Sequence, residues 1–172
     1  MSSESALLDQ FERSTTWTVL RKNYELLPGF MQFGEGDMLA DDGDSLVALE
    51  CKWIDRTSSG KTAKVRRTKH RKKVAEQALL HASYVKIRNP DRRVQAFTLT
   101  NEYGLKVLAD DVSLPDAKRC VLNFMNKVWH GYIPQCAMPE LTRLFGKGGP
   151  DHCEQSVRAI ALSCHKTVRP SP

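Results

Sequence analysis

Residues 33–52 read FGEGDMLADDGDSLVALECK, two apolar runs around an Asp-Asp-Gly-Asp turn. An Asp-Gly pair between apolar runs is the strongest short-range signal of a β-hairpin. The reading is a strand from Phe30 to Ala40, a tight turn at Asp41-Asp42-Gly43-Asp44, and a second strand from Ser45 to Trp53. Successive side chains along a strand point to opposite faces. Leu46, Ala48, Glu50 and Lys52 therefore share one face of the second strand, and Val47, Leu49, Cys51 and Trp53 share the other. Apolar residues on both faces predict a central strand covered on both sides. Glu50 and Lys52 then fall at the end of a buried face. Asp37, thirteen positions before Glu50, stands at the matching place on the neighbouring strand.

Outward from the hairpin, the N-terminal stretch SSESALLDQFER reads as a short helix capped by Ser2 or Ser3, with Ala6, Leu7, Leu8 and Phe11 as its apolar side. Trp17 to Leu20 reads as a strand and Pro28-Gly29 as a turn. After a polar loop, Arg56 to Ala63, a long helix is expected from Val65 to Val85, with an apolar stripe of Val74, Ala78, Leu79 and Ala82. Asn89-Pro90 ends it. Strands at Val94 to Thr100 and Leu105 to Ala109 follow, then a helix from Pro115 to Trp129. The Pro- and Gly-rich tail predicts short helices around Glu140 to Phe145 and Glu154 to Cys164. Strands alternating with helices predict a single α/β unit around a mixed sheet.

The 172 residues carry a net charge of +6, unevenly placed. Residues 1–50 hold ten acidic and three basic side chains, and residues 51–172 hold ten acidic and 23 basic ones. Eight of the thirteen residues from Lys61 to Lys73 are Lys or Arg, and none is acidic. A basic block beside an acidic cluster points to a polyanion and a cation site; a solvated helix face or a localisation signal would look the same. No apolar run is long enough to span a bilayer and no secretory signal is visible, so an intracellular protein, cytoplasmic or nuclear, is expected. The five cysteines, odd in number and scattered, do not read as a disulfide framework. The pairs His152-Cys153 and Cys164-His165 lack the ligand spacing of a zinc site.

Chemistry concentrates at the end of the hairpin. Asp37 and Glu50 would approach each other on one face, and two buried carboxylates repel unless a cation lies between them. Mg²⁺, or Mn²⁺, suits a few carboxylates plus waters, leaving positions for a phosphate oxygen. Lys52 on the same face could orient a water or neutralise developing phosphate charge. An isolated Glu-x-Lys is weak by itself; its position in an apolar strand, opposite an acid, gives it weight.

The hairpin, from Phe33-Gly34-Glu35-Gly36-Asp37 to Glu50-Cys51-Lys52, resembles the YraN family of nuclease-like bacterial proteins, which reads F-G-E-I-D-L-I-A-x-D-G-x-x-L-V-F-V-E-V-K there. That family is related to Holliday-junction resolvases and other PD-(D/E)XK nucleases. Trp17 to Asn23 resembles its first strand, and Val65 and Lys69 its V-x-x-x-K helix, so the resemblance covers about residues 4–100. It implies Asp37 as a metal-binding aspartate, Glu50 and Lys52 as the E-x-K pair, and Glu35 as the acid of the G-E-x-D signature. It also implies a glutamate on the first helix, for which Glu4 and Glu12 are both candidates. Gly36 and Cys51 stand where the pattern has apolar residues.

The expected fold is thus α/β with a restriction-endonuclease-like core over residues 1–112 and a helical extension, 113–172, packed on it. The expected function is Mg²⁺-dependent hydrolysis of DNA phosphodiesters, structure-selective on branched, repair or recombination DNA. Asp37 and Glu50 would hold the metal, and Lys64, Arg66, Arg67, Lys69, Arg71, Lys72 and Lys73 would contact phosphates. DNA is the expected partner, with RNA as the alternative polyanion; a homodimer is compatible with the sequence, a membrane is not. Two other readings stand beside it: an inactive nucleic-acid-binding module of the same fold, and a protein-interaction domain whose basic helix is a nuclear localisation signal.

Overall fold

The structure is a computed structural model that describes residues 3–27, 29 and 34–129. Its elements, in chain order, are helix α1 (Glu4–Ser14), strands β1 (Thr18–Glu25), β2 (Glu35–Asp41) and β3 (Leu46–Lys52), helix α2 (Lys61–Arg88), strands β4 (Val94–Thr100) and β5 (Gly104–Ala109), and helix α3 (Leu114–Trp129). The strands form one sheet in the order β1-β2-β3-β4-β5. Neighbours are antiparallel except β3 and β4, which run parallel with α2 as their crossover. The fold is α/β, a five-stranded mixed sheet flanked by helices.

The hairpin turn is built by Asp42. Its carboxylate accepts the amides of Asp44 and Ser45 and the Ser45 hydroxyl, and Gly43 takes φ 102° beside it, a left-handed conformation that glycine adopts without strain. β3 is buried on both faces along all but its last residue, as its apolar residues predict. Leu46 and Ala48 pack towards α2 and α3 with Ala82, Val85, Val121 and Met125. Val47, Leu49 and Cys51 pack the other way, with Leu8 of α1 and with Met38 and Phe97. Ser3 caps α1 by accepting the Ala6 amide, and Trp17 stacks edge-on between Phe11 and Phe97. α1 thereby lies over one face of the sheet, its start near the end of β3.

Two elements run beyond their predicted bounds. β1 continues to Glu25 rather than stopping at Leu20, and α2 spans Lys61–Arg88 rather than 65–85. Gly60, at φ 97°, begins α2 where the preceding loop must turn. The 28 residues of α2 make a rod about 42 Å long. Its buried residues begin only at Val74, so its first half leaves the core behind. α2 runs antiparallel to β3, and this half extends past the strand end that carries Glu50 and Lys52. α3 packs on α2 through Ala117, Val121 and Met125. Phe30 to Phe33, the two expected tail helices and the His152-Cys153 and Cys164-His165 pairs lie outside the described residues. No helix among the described residues is long and apolar enough to cross a membrane.

Candidate metal and nucleic-acid site

The β2–β3 ladder runs from Asp41 opposite Leu46 to Met38 opposite Leu49 and ends there. One step further, side chains take over from the backbone. The Asp37 amide donates to Glu50 Oε1 at 3.3 Å, and the Cys51 amide donates to Asp37 Oδ2 at 2.6 Å. The two strands thus splay apart at the two carboxylates. On its other side β2 stays paired to β1, with Lys22 opposite Met38 and Tyr24 opposite Gly36. Asn23, between them, takes φ 45°, a left-handed conformation that asparagine tolerates better than most residues.

Burial, aided by the nearby Glu50 charge, pushes the Asp37 carboxyl up to about 7, against the opposing pull of the Cys51 amide and Lys52. Two acids are held where one cannot ionise freely. Glu50 is itself buried. Among the described residues, Asp37 Oδ1 and Glu50 Oε2 accept no hydrogen bond. Two hard carboxylate donors held close together suit a divalent cation that takes one or two carboxylates and fills its shell with water and phosphate. The residues present fit Mg²⁺ in that sense, although no three His, Cys, Asp or Glu side chains among the described residues stand together as a ready-made cage. Burial and the adjacent Asp37 push the Cys51 thiol up to about 12, and its Sγ lies against the Glu4 backbone carbonyl.

Lys52 leaves the strand end and forms an ion pair with Glu4, whose backbone carbonyl also lies 3.5 Å from the Cys51 thiol. Of the two first-helix acids, the fold brings Glu4 to the site; Glu12 pairs instead with Lys22 at 2.5 Å. Glu35 is exposed and stands apart, bordering a cavity of about 560 Å³ between α2, α3 and the start of β2.

The basic side chains of α2 sort by partner. Arg71 is clamped by both carboxylate oxygens of Glu102, at 2.7 and 3.0 Å, and lies over the Tyr103 ring. Arg67 donates to the Ser58 carbonyl, and with Arg66 it borders a smaller hollow over the 55–59 loop. Lys64 is exposed. Lys69, Lys72 and Lys73 line the larger cavity together with Lys127 of α3. Lys72 has only a loose 3.9 Å contact with Glu76, and Lys69 and Lys73 form no ion pair among the described residues.

Two residues that sequence reasoning missed, His81 and Tyr24, and Gly36, seen there only as a departure from the hairpin pattern, complete the picture. His81 on α2 is fully buried, with Nδ1 2.7 Å from Glu50 Oε1 and Nε2 2.5 Å from the Tyr24 hydroxyl. Gly36 lies against the ring; a Cβ there would stand 2.6 Å from His81 Cε1. The available signals were a histidine inside the apolar run Leu79-Leu80-His81-Ala82 and a glycine where the hairpin pattern carries an apolar side chain. No protein-family model matches the chain, and no curated protein matches it.

Proposed function

We propose that the chain is a nuclease of the PD-(D/E)XK type, similar to the YraN family, that hydrolyses DNA phosphodiesters with Mg²⁺ or Mn²⁺. One observation carries the reading: two carboxylates from splayed neighbouring strands, Asp37 and Glu50, share a buried place where Asp37 is held near 7. A protein gains nothing in stability from such a pair, because desolvation and repulsion both oppose it. A cation held by Asp37 and Glu50 would supply Lewis-acid polarisation of the phosphate. Lys52, held beside them by Glu4, neutralises negative charge as water adds to phosphorus, one P–O ester bond breaks and the leaving oxygen gains a proton. Glu4, by pairing with Lys52, fixes where that ammonium stands.

α2 supplies the binding surface. Lys73 precedes His81 by eight residues and Lys61 by twenty, so the basic half lies about 12 to 30 Å along the helix from the level of Glu50. That stretch of about 18 Å matches the rise of about five base pairs. Contacts of this kind fix position and carry no sequence information. Recognition of strand geometry, as in branched DNA, follows from that better than recognition of a sequence.

A second reading, a non-catalytic nucleic-acid-binding module, is favoured by the lack of a third donor converging on Asp37 and Glu50 among the described residues. The test is incubation with linear, single-stranded and four-way-junction DNA in Mg²⁺, Mn²⁺ or EDTA. Cleavage that needs the metal is expected. Salt-sensitive binding without cleavage in any metal would replace the nuclease by the module.

A further inference from the structure

The buried imidazole behind Glu50 has no part in the chemistry proposed so far. Three elements converge on it: Tyr24 from β1, Gly36 from β2 and Glu50 from β3. A carboxylate only accepts, so the tautomer with its proton on His81 Nδ1 donates to Glu50 Oε1 across the 2.7 Å contact. In the neutral ring Nε2 then accepts the Tyr24 O–H, and both nitrogens are satisfied. The same Glu50 oxygen also receives the Asp37 amide. Oε1 is thus tied on two sides, which fixes the carboxylate's rotation and leaves Oε2 on the open side.

The geometry points to His81 as a positioning residue. It holds Glu50 so that Oε2 faces a divalent cation shared with Asp37; Tyr24 fixes the ring and Gly36 makes room for it. The inference rests on the nuclease reading for the cation. A merely packed core residue accounts poorly for the arrangement. Leucine would fill such a space without burying two polar nitrogens. Glycine within a strand is destabilising relative to alanine, and here an alanine Cβ would meet the ring. Partners that orient metal-binding carboxylates and imidazoles matter to the ion nearly as much as its ligands do.

The test is calorimetric titration of the full chain with Mn²⁺ in the absence of DNA, with thermal unfolding of each metal-free variant as the control for folding. His81→Leu should weaken Mn²⁺ binding about 10- to 100-fold. His81→Asn, whose amide nitrogen can take the place of Nδ1 as donor, should stay within about threefold of wild type. A folded His81→Leu with wild-type Mn²⁺ affinity overturns the inference while leaving the nuclease reading standing. Should His81→Leu fail to fold, Gly36→Ala carries the test: it must weaken Mn²⁺ binding by displacing the ring, and adding His81→Asn to it must restore affinity. Unchanged affinity in Gly36→Ala overturns the inference equally. Wild-type protein that binds no Mn²⁺ removes the nuclease reading, and this inference with it.

Discussion

The hairpin has acids at both ends, and they live in opposite conditions. At the turn, the Gly43 amide and the Arg92 guanidinium hold the Asp41 carboxyl below its ordinary value. The Asp42 carboxyl is also held low: amide and hydroxyl donors from Ser45 and the Asp44 amide outweigh the effect of burial. At the open end, burial and Glu50 push Asp37 the other way, up to about 7. The residue type is the same and the sheet is the same. The turn aspartates are satisfied by their own chain and build structure. At Asp37 burial and Glu50 outweigh what the Cys51 amide and Lys52 offer its charge, and that is where a ligand has something to add.

The largest effect should separate the two ends by activity. Asp37→Asn or Glu50→Gln should lower DNA cleavage by more than about 100-fold, since each removes a proposed charged ligand rather than a supporting group. Asp42→Asn should leave turnover of the folded protein unchanged. Cleavage assays in Mg²⁺ decide this. Equal losses at both ends would make the open end ordinary.

Lys52 comes next. Lys52→Ala should depress turnover by about 100-fold with Mn²⁺ affinity retained, because in the proposed mechanism its charge acts on the transition state and not on the ion. If metal affinity and turnover fall together, Lys52 is part of the ion's support.

The same contrast between satisfied and unsatisfied charge runs along α2. Arg71 is spoken for by Glu102, whereas Lys69, Lys72 and Lys73 face open space. Reversing all three lysines to Glu should flatten the salt dependence of DNA binding by about 2 to 3 units, at close to 0.9 per lost phosphate contact. Arg71→Ala should barely change the slope. Affinities measured at several salt concentrations check this, and equal slopes for wild type and the lysine variant would remove α2 from the interface.

How far the sequence could be read follows from the same physics. The hairpin was legible because its alternation, its Asp-Gly turn and its two-sided apolar strand all agree, and the structure places Asp37 beside Glu50 as that register requires. The α/β class, a mixed sheet flanked by helices, was legible with it; the sheet order was not read from the sequence. β1 was expected to end at Leu20, because Arg21, Lys22 and Asn23 lie on an edge strand where no apolar alternation marks continuation. The start of α2 was placed at Val65 because its exposed first half carries no apolar stripe. Leu79, assigned to that stripe, is 39% exposed, while His81 is fully buried. Apolar periodicity cannot find a residue buried for the sake of a carboxylate. Nor could spacing choose between Glu4 and Glu12, since that choice depends on how α1 docks across the sheet.

The smallest effect is also the sharpest test of the comparison, because the two ends should respond to pH with opposite signs. In the metal-free protein the Asp37 carboxyl sits near 7 when folded, against an unfolded value near 3.8. The folded state therefore binds the proton more tightly. Its advantage is full below about pH 4 and is lost as pH rises through 7. Asp42 is shifted down, so its contribution is present above about pH 4 and is lost as pH falls through its folded value. Asp37→Asn should then stabilise the metal-free chain at pH 8, by on the order of 2 kcal/mol once solvent screening is allowed for, and the gain should vanish towards pH 4. Asp42→Asn should destabilise at pH 8, with the loss shrinking as the pH is lowered. Urea unfolding at pH 4, 6 and 8 without metal measures both. Saturating Mn²⁺ should reverse the first result, because the cation stabilises only the folded chain that keeps Asp37. If Asp37→Asn is no more stable than wild type at pH 8 without metal, the open end of the hairpin holds no unneutralised charge, and the case for a cation there falls with it.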